Sequence, residues 1–160
     1  METVKRILVA CSMIKDCEKA LHSGISLAIT YGAELYVLYS IYDPFMSSEW
    51  NLPYMPMGAI KKDYQKLKKQ MKEELEEAIV KERRKGVVIK EILREGEPSK
   101  EIFKVIKDEK IDLLVMIAYE ESRLEHFLFG RGTHELVRKM PCSIFLVKKK
   151  LQPSPYPPRD

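Results

Sequence analysis

The residues best suited to chemistry lie in one short stretch, Leu128-Phe129-Gly130-Arg131-Gly132-Thr133. Two glycines and a threonine at a helix start can turn free backbone N–H groups and a hydroxyl toward an anion, with the positive end of the helix dipole behind them. Arg131 adds a planar guanidinium able to grip a phosphate-sized anion through two parallel hydrogen bonds. Two plainer readings stay open. Thr133 or a neighbour can serve as an ordinary helix cap, and Arg131 can pair with Glu120 or Glu121 and close the site. A second place to look is Ala10-Cys11-Ser12, which follows the first apolar run.

Other chemistries lack their residues. The loop after the first apolar run has no G-x-G-x-x-G turn, so a dinucleotide site of the Rossmann type is unsupported. The paired acids of a phospho-receiver domain are missing there too, and the chain contains no G-x-x-x-x-G-K-[ST] loop and no G-x-S-x-G nucleophile elbow. His22, His126 and His134 have no obvious nucleophile partner and read as solvated surface residues. Cys11, Cys17 and Cys142 form no C-x-x-C pair and have no histidine at ligand spacing, so they are expected to be buried reduced thiols, with no metal bound. No catalytic constellation emerges.

The elements that must position these residues alternate along the whole chain between strand-like and helix-like patterns, the signature of βαβ units and a parallel sheet. Strands are expected over Val4–Ala10, Ala33–Ile41, Val87–Leu93, Ile111–Ala118 and Cys142–Val147. The fourth is the most continuous apolar run and is expected mid-sheet. A first helix carries Cys17, Ala20, Leu21, Gly24, Leu27, Ala28 and Tyr31 and stops at Gly32. A long amphipathic helix from about Ala59 to Lys85 has an apolar stripe of Tyr64, Leu67, Met71, Leu75, Ala78 and Ile79 and ends at Gly86. Gly96-Glu97-Pro98 opens a third helix that turns Ile102, Val105 and Ile106 inward, and Gly130–Met140 forms a fourth. Five strands and four crossover helices make an open doubly wound α/β sheet, in which ligands sit beyond the carboxyl ends of the strands where strand order reverses.

The chain of 160 residues fits one domain over residues 1–150, with an insertion at 43–58 and a proline-rich tail at 151–160. Hydrophobic residues at 45% and charged residues at 32% suit a globular chain. The net charge of +4 is a small difference between 28 basic and 24 acidic side chains, so no nucleic-acid partner is expected. The longest apolar run falls far short of the roughly 20 residues needed to span a bilayer, and the amino terminus shows no signal-peptide pattern, so a cytoplasmic location is expected. One Asn and three Gln against many Glu and Lys is a bias found in hyperthermophile proteins.

From residue 4 to residue 148 the chain resembles the universal stress protein family. The resemblance rests on Lys5-Arg6-Ile7-Leu8-Val9, on Gly32-Ala33-Glu34-Leu35-Tyr36-Val37-Leu38, on Gly96-Glu97-Pro98 followed by Ile102, and on Ile111-Asp112-Leu113-Leu114-Val115-Met116. It also rests on Gly130 followed by Met140-Pro141-Cys142-Ser143-Ile144-Phe145-Leu146-Val147. The resemblance implies an adenine nucleotide alpha hydrolase-like fold with strand order 3-2-1-4-5 and a homodimer formed through the last strand. In one branch of the family it also implies ATP or AMP at the switch point.

That branch carries G-x-x-G-x9-G-[ST] after the fourth strand, and aligning on Gly130 puts Ile117 and Glu120 at the first two glycines and Arg131 at the Ser/Thr. Glycines there allow backbone to approach phosphate closely, which a side chain resists, and Glu120 would set a carboxylate near phosphates. Ser12 stands where the family usually has a nucleoside-binding Asp, and Ile41 occupies a position often beside the base. Gly130 and Thr133 match phosphate-contacting positions. The expected function is thus a non-enzymatic, dimeric stress-response binding or regulatory protein with weak or no ATP binding. An ATP- or AMP-binding switch or slow ATPase is the first alternative. A scaffold that binds a partner or apolar ligand through Phe45, Trp50, Tyr54 and Met55 is the second. That insertion equally fits a lid, a dimer contact, or a loop packed on the long helix.

Overall fold

The computed structural model describes residues 3–11, 14–41, 57–83, 86–119 and 139–149. Its elements run β1 (Arg6–Cys11), α1 (Ile14–Tyr31), β2 (Glu34–Ile41), α2 (Met57–Arg83), β3 (Ile89–Glu95), α3 (Pro98–Asp108), β4 (Leu113–Tyr119) and β5 (Ser143–Lys149). The strands form one parallel sheet in the order β3-β2-β1-β4-β5, as the resemblance implies. The expected fourth helix up to residue 138, the 43–58 insertion up to residue 56, and the tail fall outside the described residues.

Period-two alternation sorts the core into two clusters, one on each face of the sheet. Ile7, Val9 and Cys11 of β1, Leu35, Val37 and Tyr39 of β2, and Leu113, Val115 and Ile117 of β4 pack with α1 and α2. Leu8, Tyr36, Leu38, Leu114 and Met116 face the other way and pack against Ile102, Val105 and Ile106 of α3. Ile7, Leu8, Val9, Leu35 and Leu114 have no exposed surface, which at about 1.5–3 kcal/mol for each buried aliphatic side chain makes β1 and its neighbours the main source of stability. β4 is an interior strand as expected, but β1 is the geometric centre.

Three strands begin two residues later than expected, β1 at Arg6, β3 at Ile89 and β4 at Leu113, the last two for local reasons. α3 ends in a Schellman turn: the Ile111 N–H donates to the Ile106 carbonyl at 3.0 Å, and Lys110 takes the left-handed conformation at φ 52°. Ile111 therefore belongs to the cap, and β4 starts at Leu113. Asp112 fixes the register of β4 against β1. Its Oδ2 accepts hydrogen bonds from the Lys5 and Arg6 N–H groups at 2.8 and 2.9 Å, and its own N–H donates to the Arg6 carbonyl at 2.9 Å. β3 starts at Ile89 because Gly86, at φ 83°, turns the chain and leaves Val88 70% exposed before the sheet is reached. α1 ends at Gly32 as expected, where the Ala33 N–H donates to the Ala28 carbonyl at 2.9 Å in the same kind of turn.

The two sheet edges differ in chemistry. β3 exposes Lys90, Glu91, Arg94 and Glu95 on one edge. β5, on the other, carries Ile144, Phe145, Leu146 and Val147, with Phe145 42% and Leu146 50% exposed.

Candidate nucleotide crevice at the strand switch point

Strand order reverses between β1 and β4, and there the backbone ladder gives out early. β1 pairs with β2 as far as Cys11 with Tyr39, and β4 pairs with β5 as far as Tyr119 with Lys149. Between β1 and β4 the pairing covers only Ile7 with Leu113, Leu8 with Leu114, and Val9 with Val115. Beyond Val9 and Val115 the two strands therefore part, and the facing N–H and C=O groups of Ala10, Cys11, Met116 and Ile117 are not laddered to one another. Unpaired main-chain groups at a sheet opening seek an outside partner. This is also the place where doubly wound sheets hold their ligands.

The side chains flanking the opening are apolar. Ala10 is half-buried against the α3-face core, Met116 lies in that core at 2% exposure, and Ile117 packs into the α1-face core at 8%. Ile41 ends β2, level with Glu95 of β3. Among the described residues the strand ends flanking the opening, Ala10, Cys11, Met116 and Ile117, present no free acid, base or nucleophile. Ser12, Glu120, Gly130, Arg131, Gly132 and Thr133 lie outside the described residues, as do Phe45, Trp50, Tyr54 and Met55 of the insertion. No group of His, Cys, Asp and Glu among the described residues is arranged to hold a metal ion.

Cys11 corrects one expectation. The three cysteines are not all reduced thiols: Cys11 and Cys17 are joined by a disulfide, with their Cα atoms 5.1 Å apart. The reason is geometric. Cys11 ends β1 with its side chain on the α1 face, and α1 begins at Ile14, so the first turn of the helix brings Cys17 over the strand end. A six-residue spacing across a strand-to-helix turn is the sequence signal for this pairing, and a search for C-x-x-C passes over it. Cys142 is free and half-buried, and burial pushes its thiol up to about 11. His22 is exposed, as its sequence context implies.

The neighbouring β3–α3 turn is held by polar contacts that the sequence alone does not reveal. The Ser40 hydroxyl donates to the Gly96 carbonyl at 3.4 Å, tying the end of β2 to this turn. Gly96 stands at φ 150°, and a Cβ there would come within 3.1 Å of the Glu101 carboxylate, so both backbone and space call for glycine. Lys100 and Ser99 donate to Glu97 at 2.8 and 3.1 Å, and the Lys100 hydrogen bond leads in holding that carboxyl below its ordinary value. Glu101, 8% exposed, is paired with Lys104 at 2.8 Å. A separate cavity of about 630 Å³ lies at the opposite, amino end of the sheet, lined by Val4, Leu27, Tyr31, Asp112, Met140 and Phe145 among others.

The chain and its fold match a known family. The model of the universal stress protein family covers residues 3–148. The chain belongs to the universal stress protein family. A relative within it, universal stress protein YxiE of Bacillus subtilis, is 28% identical over 145 residues, spanning 89% of this chain and 98% of the relative. The solved universal stress protein UspA from Lactobacillus plantarum superposes with a TM-score of 0.64 at 21% identity, covering 92% of this chain and 99% of that one. The universal stress protein from Archaeoglobus fulgidus, solved in complex with dAMP, superposes with a TM-score of 0.57 at 18% identity, covering 91% and 98%. At such identities the structural likeness speaks for the family's adenine nucleotide alpha hydrolase-like fold.

Proposed function

We propose that this universal stress protein is a dimeric stress-response binding protein of the cytoplasm, with no catalytic activity and with only weak affinity for adenine nucleotide. Ile117 carries this reading. It lies just past the last β1–β4 pair, packed at 8% exposure, where ATP-binding members have the first glycine of the phosphate motif. A β-branched side chain there stiffens the backbone and keeps it from the close approach that phosphate binding uses. No helix among the described residues is long and apolar enough to cross a membrane. Equilibrium dialysis with ATP and Mg²⁺ is expected to give a Kd above about 100 μM, weaker than −5.5 kcal/mol. A Kd of a few micromolar sinks the reading.

A second reading is a nucleotide switch or slow ATPase at the same crevice. It is favoured by the early end of the β1–β4 ladder and by the dAMP held in the Archaeoglobus fulgidus relative. Micromolar binding without phosphate release supports a switch, and release of phosphate from ATP supports an ATPase.

The dimer is proposed through β5. This edge carries a run of exposed apolar side chains without an inward charge or proline, the kind of edge that pairs with another strand, whereas the charges of β3 protect the opposite edge. Leu146→Lys is expected to convert a dimer to a monomer in size-exclusion chromatography with light scattering. A wild-type monomer at ~100 μM, or a variant that stays dimeric, rejects this interface.

A further inference from the structure

We propose that Cys11 and Cys17 form a reversible thiol–disulfide site, exchanging with low-molecular-weight thiols, that fastens the end of β1 to the first turn of α1 or releases it. Three observations carry the inference, and none depends on whether the crevice holds nucleotide. The first is position. Cys11 ends β1 beyond the last pair with β4, so nothing in the β1–β4 ladder restrains it, and it borders the opening directly. The second is uniqueness of pairing. Cys11 and Cys17 belong to the α1-face core, while Cys142 packs against the α3-face core, so the sheet separates the third sulfur from the pair. The third is packing. The pair sits at 4% exposure each among Ala20, Leu21 and Ile117, where interiors are close-packed and a change of spacing is transmitted rather than absorbed.

The change of spacing follows from covalent radii. A disulfide holds its sulfurs about 2.0 Å apart, whereas non-bonded atoms settle at about 3.5 Å or more. Reduction therefore drives the two sulfurs apart by more than about 1 Å inside the packed cluster that also holds Ile117. The exchange balances with a small disulfide RSSR as oxidant. The thiolate of one cysteine attacks RSSR to give a mixed disulfide and RS⁻, and the other cysteine, as thiolate, then displaces the second RS⁻. Two electrons pass to RSSR, two protons leave the cysteines, and the reverse reaction with two RSH restores both thiols. Cys17 lies in the first turn of α1, where the helix dipole favours a negative sulfur. Since both sulfurs are buried, exchange needs local opening and proceeds over minutes to hours. The scarcity of Asn and Gln in the chain, one and three, is shared with hyperthermophile proteins, in which intracellular disulfides persist.

The test uses the full chain equilibrated overnight in buffers of reduced and oxidised glutathione, then denatured in acid and alkylated with N-ethylmaleimide for mass analysis. One alkylated thiol is expected at the oxidised limit and three at the reduced limit, joined by a single transition. Hydrogen exchange at both limits is expected to show about tenfold loss of protection on reduction, confined to amides of β1's end and α1's first turns. Cys17→Ser should abolish the exchange difference, and Cys142→Ser should leave it intact. Three alkylated thiols in every buffer overturn the proposal. So do one thiol throughout even in excess dithiothreitol, or equal protection at the two limits, and these measurements on the unaltered protein stand even where Cys17→Ser fails to fold.

Discussion

Gly24→Leu is expected to lower the unfolding free energy by about 3 kcal/mol, the upper part of the range for forcing carbon into a packed core. Gly24 lies inside α1, where glycine costs about 1 kcal/mol of helix propensity relative to alanine. The fold accepts that cost because helix and sheet approach one another closely here. A Cβ added to Gly24 would run into Cγ2 of Val9 and stand 3.4 Å from Cδ1 of Leu35. Val9 is fully buried on the central strand and, being β-branched, has little freedom to turn away. A leucine must therefore push α1 off the sheet. Gly24→Ala sets the helix gain against the Val9 collision, and Val9→Ala in the same chain should relieve it, with a coupling of about 1 kcal/mol between the two sites. Urea unfolding measures the parent, Gly24→Leu, Gly24→Ala, Val9→Ala and the double variant. A Gly24→Leu variant as stable as the parent rejects the close-approach account.

Tyr39 sets the second expected result, a loss of about 2–3 kcal/mol between pH 10 and pH 12 that is absent from Tyr39→Phe. The phenol is 1% exposed, and burial, reinforced by Tyr64 and Glu74, pushes it up to about 12 from an ordinary 10.0. Below pH 10 the phenol is protonated in folded and unfolded chains alike, and its contribution is fully present. Between 10 and 12 the unfolded chain releases its proton while the folded one retains it, so stability falls with rising pH and stops falling once the folded phenol ionises. The native contact removed by the variant is small, a hydroxyl donating to Met71 Sδ at 3.4 Å, so at pH 7 the two proteins should agree within about 1 kcal/mol. Urea titrations at pH 7, 9, 10, 11 and 12 check this. Parallel decline of both proteins above pH 10 would show that Tyr39 is not the group responsible.

Element types were legible in the sequence because strand and helix periodicities differ and each strand here is long enough to show its own. Pro98 stands at the first turn of α3 and Gly32 caps α1, as their residue types demand. Boundaries slipped where side-chain identity concealed the backbone. Lys110 takes a left-handed conformation normally left to glycine or asparagine, so the cap absorbed Ile111. The disulfide was hidden for a related reason: residues six apart look remote along the chain, yet a strand end and the next helical turn lie within 5.1 Å. The switch-point opening followed from topology alone, whereas the polar contacts around Ser40, Gly96 and Glu97 required three-dimensional neighbours. Gly130 and Thr133, the strongest chemical signal in the sequence, lie outside the described residues and rest on spacing.

The unequal edges of the sheet bear on how large an assembly this chain can build. A sheet with two open edges can add copies at either side without end, as fibres do. Here Lys90, Glu91, Arg94 and Glu95 set charge against an incoming strand on one side, whereas the β5 side offers Phe145 and Leu146. A second copy that brought its own β5 to that side would leave the two β3 margins facing outward, where charges flank the exposed Leu93. On the proposed β5 interface, polymerisation would terminate at its first step, and the exposed apolar strand surface would carry little hazard of fibrous aggregation.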